Sequence, residues 1–248
     1  MTPVLVEYGH PMSRFPGAEI GADELPDEIH RLADRIESIT GKDVYFIDAR
    51  RHRFDPGQLP PGVPPPPVSG PPAGPDIVVF VNPDVVDPRI LAHSLRRFLI
   101  QTLLVWEGYP MAGLRPTGLE PAVAAAVGPM QHWLHLGLLG AAAELRLAAL
   151  TGGTPEARQS SRLPPFRLPP PVRKNLVDFE CAMGMSGSPD EARPDARAIT
   201  AVLQEADVGS AVGFRVAFGR ILDLWGVRQH VMLGVADKES GAISEVPW

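Results

Sequence analysis

His132 and His135 stand three residues apart in an apolar stretch, a spacing that on a helix puts both imidazoles on one face within reach of a single ion. Joined by His93, they would make a three-histidine zinc site with one coordination position left for water, the arrangement a metal-dependent hydrolase needs. Around His93 the chain reads His93-Ser94-Leu95-Arg96-Arg97. One helical turn beyond the histidine stands Arg97, whose guanidinium keeps its proton at every accessible pH and offers no lone pair to a cation. It would also repel one. Two like charges about 4 Å apart cost roughly 1 kcal/mol in water and several times more in a cleft of low effective dielectric. Arg97 is better suited to hold a carboxylate, with Glu120 and Glu144 of the following helix as candidates, or to hold an anionic ligand through its planar fork of donors. A plain solvated arginine is the third reading. Glu107, about 14 residues and some four turns past His93, lies about 20 Å away along the helix axis and is too remote to serve as a base there.

The elements that carry these residues follow from hydrophobic spacing. From Asp23 to Thr40 the apolar positions Leu25, Ile29, Leu32, Ala33, Ile36 and Ile39 recur at helical intervals, with acidic residues at the start and Gly41 at the end. Asp43 to Asp48 is rich in strand formers, and Asp76 to Asn82 is an unbroken apolar run that predicts a buried strand. Asp87 then caps a helix with Pro88 at its first position, and Gly108-Tyr109-Pro110 ends it. Leu119 to Leu150 reads as helix with a break or kink near Gly128-Pro129, followed by a Pro-rich polar loop from Thr151 to Pro171. Further helices are expected over Val172 to Met183, Pro194 to Glu205 and Ser210 to Trp225.

Helix, strand, buried strand, then a helix carrying the histidine after Asn82-Pro83-Asp84, followed by Glu107-Gly108-Tyr109-Pro110, resembles the minimal bacterial zincin metallopeptidases over roughly Asp23 to Leu150. In that family the helix carries His-Glu-x-x-His and a later helix supplies the third ligand. By position, the resemblance puts His93 on the first ligand, Ser94 on the general base and Arg97 on the second ligand. The third would fall on the helix holding His132, His135 and Glu144. It implies an α+β chain, mostly helical, forming a single zincin-like domain over residues 1–248 with a small sheet in its N-terminal half. The site would be vestigial: His93, Ser94 and Arg97 without catalysis and without a cofactor. The reading adopted is a catalytically inactive zincin-like protein acting as a binding, assembly or regulatory partner. The alternatives are a zinc-dependent, peptidase-like hydrolase using His93, His132 and His135, and a structural subunit of a larger complex.

Composition narrows the partners. The chain has 248 residues, 44% of them hydrophobic, enough for a sizeable core. Lys plus Arg number 23 against 29 Asp plus Glu, and the basic residues are scattered, so the net charge of -6 argues against nucleic acid. Cys181 is the single cysteine, and no charged start followed by an apolar run and a small-residue cleavage site opens the sequence, so a reducing cytoplasm is expected. Pro121 to Ala143 is long enough to span a bilayer, but Pro129, Gln131, His132 and His135 near its middle make it a buried helix rather than a membrane span.

Half the positions from Pro56 to Pro75 are proline, which predicts an extended surface insertion with neither helix nor sheet, or a docking segment for an aromatic-lined groove. The opening Val4-Leu5-Val6 suits a short strand leading into a wrapping loop. The tail from Val235 to Trp248 shows no periodicity and is expected to be flexible. Gly209-Ser210-Ala211-Val212-Gly213 precedes a helix but lacks the lysine and strand of a phosphate loop. Ser186-Gly187-Ser188 lacks the strand and helix of a nucleophile elbow. Cys181, among apolar neighbours, reads as an inert buried thiol, and Phe214, Val216, Phe218, Ile221, Leu222 and Trp225 form a core-facing stripe.

Overall fold

The computed structural model describes residues 17, 19–21, 24–51, 67–70, 76–82, 84, 87–115, 119–153, 168–184, 194–237 and 242–248. Helices take 61% of the described residues, and the strands form two small three-stranded sheets, so the chain is α+β with helix predominant. It divides into two compact units, Met1–Trp106 with Asp237–Ala242, and Glu107–Ala236 with Ile243–Trp248.

In the first unit, α1 (Asp27–Thr40) buries Ile29, Leu32, Ala33 and Ile36 along one stripe, as the spacing requires. Gly41 ends it in the left-handed region at φ 69°, a conformation open to glycine without a Cβ penalty. Glu37 of α1 accepts the Val44 amide at 2.7 Å, which ties the helix to the start of β1 (Val44–Asp48). β1 pairs in parallel with β3 (Ile77–Val81), Val44 opposite Ile77 through Asp48 opposite Val81. β3 lies at the centre of the sheet and is buried at four of its five positions.

Its other neighbour is β2 (Val68–Ser69), antiparallel, with Val68 opposite Val81 and Ser69 opposite Phe80. This corrects the expectation that the Pro-rich insertion contains no sheet. Val68, Ser69 and Gly70 are the residues with backbone amides between two proline runs, and the first two form the strand; Pro67 contributes only what proline retains, its carbonyl, which accepts from Asn82. The rest of that insertion, residues 56–66 and 71–75, lies outside the described residues, as does Val4-Leu5-Val6.

α2 (Pro88–Trp106) follows β3 and packs against α1 and β2. It begins as expected: the Asp87 carboxylate accepts the Arg89 amide at 2.9 Å, and the Asp87 carbonyl accepts from Leu91. Ala92, Leu95, Leu99, Ile100, Thr102, Leu103, Leu104 and Val105 are buried, while Ile90, in the first turn, is 54% exposed.

In the second unit, α3 (Pro121–Thr151) runs through Gly128-Pro129 as one helix, so of the expected break or kink the break does not occur. Proline there removes one amide and crowds the carbonyl of the preceding turn, a local penalty that the packing of α3 on its neighbours outweighs. α3 packs against β4 (Met111–Leu114), α4 (Pro170–Ala182) and α6 (Ala211–Leu224), and α5 (Pro194–Glu205) packs between α4 and α6. Gly137 lets the Phe179 ring of α4 close on α3, since a Cβ there would fall 2.5 Å from Phe179 Cε1. Lys174 bridges the buried Asp178, 3.2 Å away, and Asp195 at the start of α5.

A second sheet, order β4-β5-β6, was not expected. β5 (Val231–Ala236) pairs antiparallel with β4 and with β6 (Ile243–Val246), following a short 3-10 turn at Arg228–His230. The small sheets are therefore not confined to the N-terminal half, and the region from Val235 contains regular structure. Gly234 explains part of the fit: the Ile243 side chain occupies the space its Cβ would take, 2.3 Å away.

Candidate functional site

α2 places His93, Ser94 and Arg97 within one and a half turns, all half-buried. Residues four apart on a helix share a face, so His93 and Arg97 adjoin. His93 makes no hydrogen bond or ion pair among the described residues, whereas Arg97 is engaged. The neighbouring Arg96 reaches Glu28 of α1 at 3.9 Å, and its Nε is buried without a hydrogen bond. These residues belong to the first unit.

The other candidates lie on α3 in the second unit. Glu120 is its exposed N-cap residue and makes no side-chain capping bond; Glu144 is half-buried. His132 is exposed, its ring edge-on to Trp133 with centroids 5.8 Å apart. His135 faces inward. Its Nε2 donates to the Pro110 carbonyl at 3.0 Å in the tautomer that carries the proton there, and its ring stands edge-on to Phe214 at 5.7 Å and Phe218 at 6.0 Å. Burial among these rings pushes its pKa below the usual histidine value, against the opposing pull of the Pro110 carbonyl. With Nε2 committed to a carbonyl, only Nδ1 keeps a lone pair. Among the described residues, no group of three or more His, Cys, Asp or Glu side chains gathers in a way that could hold a metal ion.

Glu107-Gly108-Tyr109-Pro110, read from sequence as a helix stop and as part of the zincin resemblance, proves to be a tightly held turn. Glu107 pairs with Arg146 of α3, Gly108 takes φ 94°, and Pro110 receives His135. Tyr109 is buried, its ring edge-on to Phe214 at 5.6 Å. Its hydroxyl makes no hydrogen bond, and burial, reinforced by the nearby Glu107 and Asp207 charges, pushes its pKa up to about 12, so it stays a neutral phenol. Phe214 and Phe218 stack at 6.1 Å, and Phe218 stacks in turn on Trp248, over which Arg228 lies at 4.8 Å. The signal for this cluster was the Phe214 and Phe218 stripe, whose core reading holds for Phe214, Phe218, Ile221 and Leu222 but not for Val216, which is 45% exposed.

The glycine-rich turn before α6 has a structural explanation. Ser210 is the N-cap and accepts the Gly213 amide at 3.1 Å, and a Cβ on Gly213 would meet the Asp207 carbonyl oxygen at 1.9 Å. Cys181 is half-buried rather than buried. Ser186-Gly187-Ser188 lies outside the described residues. Compared with known proteins, the chain matches no family model, no curated protein and no solved structure.

Proposed function

We propose that this chain works by binding a protein partner rather than by hydrolysis, as a zincin-like protein whose active helix has lost its chemistry. The observation that carries the reading is Arg97, one turn past His93 on the same half-buried face of α2, with Ser94 where a water-activating carboxylate would stand. A guanidinium cannot ligate a metal, and a serine hydroxyl is a far weaker base than a carboxylate. What supports the reading is the α1–β1–β2–β3–α2 order, with α2 packed on α1 and β2 and with a central strand buried at four of its five positions.

The test is elemental analysis of the purified chain after exposure to zinc and dialysis, alongside a peptide-hydrolysis assay. The wild type is expected to retain no stoichiometric zinc and to cleave nothing, while the Ser94→Glu, Arg97→His double variant, which restores both missing groups, gains zinc affinity. Stoichiometric zinc in the wild type, abolished by His93→Ala, overturns the proposal in favour of the hydrolase.

A further inference from the structure

A pocket of about 150 Å³ opens in the second unit where the first turns of α6 meet the ends of β5 and β6. Gly108, Pro110, Ala211, Val212, Val235 and Val246 give it apolar walls, and Arg215 is the one lining residue with a charged side chain. That guanidinium has five N–H donors, and among the described residues its one hydrogen bond is a long contact to the Pro247 carbonyl at 3.5 Å. Glu245 and Glu107 are engaged with other arginines, Glu245 with Arg115 at 3.1 Å and Glu107 with Arg146, and Asp207, before α6, accepts the Gly209 amide; none of the three is paired with Arg215 among the described residues. A cation with most of its donors unused, on the rim of a small hydrophobic recess, is complementary to a molecule with one anionic fork and a short hydrocarbon body.

From these features we infer that the pocket binds a small aliphatic carboxylate, its branched tail against Val212, Val235 and Val246 and its carboxylate on Arg215. Size sets the class. An apolar recess of this volume holds a body of about six non-hydrogen atoms, the bulk of benzene, and is about half the size of the pockets of roughly 300 Å³ or more that bury nucleotides and cofactors. The first-turn amides of α6 at Ala211 and Val212 add a favourable field for the anion. The inference is independent of the reading of α2, which lies in the other unit.

The experiment is a titration of the full chain with 3-methylbutanoate, its neutral amide 3-methylbutanamide, and an acetylated tetrapeptide ending in valine, followed by amide chemical shifts. The acid is expected to bind in the millimolar range and to shift the Ala211, Val212 and Val246 amides. The neutral amide should bind about tenfold more weakly or less, because it forfeits the charge-assisted pair. Arg215→Gln should weaken the acid to the level of the amide, and Ala211→Leu, which fills the recess while keeping Arg215, should abolish binding. Equal affinity for acid and amide, an unaffected Arg215→Gln variant, shifts centred elsewhere, no saturable response, or binding of the tetrapeptide alone would each overturn it.

Discussion

His93 and His135 are the same residue type at the same kind of address, a position well inside a long helix, yet they meet opposite fates. His93 on α2 is half-buried and has no polar partner among the described residues. His135 on α3 is held by the Pro110 carbonyl and enclosed by two phenylalanine edges. Among the described residues the first has neither nitrogen engaged; the second spends one on structure. A histidine therefore signals function less by its spacing than by whether the fold has already used its hydrogen-bonding capacity.

The contrast can be pressed hardest at the ring stack around His135. Phe218→Ala removes a fully buried ring that touches Phe214, Trp248 and His135, and should destabilise the second unit by about 3–5 kcal/mol, read as a lower denaturation midpoint at unchanged slope. His135→Leu should cost about 1–3 kcal/mol at neutral pH, because it leaves the Pro110 carbonyl without its donor.

The same histidine sets a pH dependence. Its folded pKa lies below the ordinary 6.5, so the unfolded chain takes up the proton first as pH falls. Stability is therefore complete above the unfolded value, declines as pH drops below it, and levels off once the folded form also protonates. His135→Leu should flatten that limb in denaturation curves measured across the window. A flat wild-type profile would mean that the ring is not desolvated as described.

Away from the stack, Ser210→Ala removes the capping oxygen of α6 and should cost about 1 kcal/mol, with faster hydrogen exchange at Gly213 as its local signature. The smallest effect belongs to the other side of the comparison. His93→Gln should change stability by no more than about 0.5 kcal/mol, since no side-chain hydrogen bond among the described residues is lost. A large loss there would show that His93 has a structural duty and would dissolve the contrast.

What was legible in the sequence was what is local. The α1 stripe with its terminal Gly41, the Asp87-Pro88 start of α2 and the apolar run of β3 each carry their signal within a few residues. So does the pairing of His93 with Arg97 on one helix face. Non-local features were hidden. Met111–Leu114 contains a glycine and no β-branched residue, and becomes a strand only because Val231–Gly234 lies alongside it. Gly234 weakens the strand signal of β5 by itself, and its purpose appears only when Ile243 fills the gap. Val68–Ser69 is too short to register among prolines until β3 offers an edge. His135 likewise could not be told from a metal ligand until Pro110, Phe214 and Phe218, distant in sequence, closed around it.

The pairing of β4 with β5 also bears on how the second unit is made. β4 is among the first segments of that unit to leave the ribosome, while β5 and β6 are among the last. Until they emerge, Met111–Leu114 has no strand to register against, and an unpaired strand in a growing chain is an opening for promiscuous association. Completion of this sheet thus comes late in the synthesis of the second unit, and nascent chains arrested before Val231 should be the species that chaperones retain.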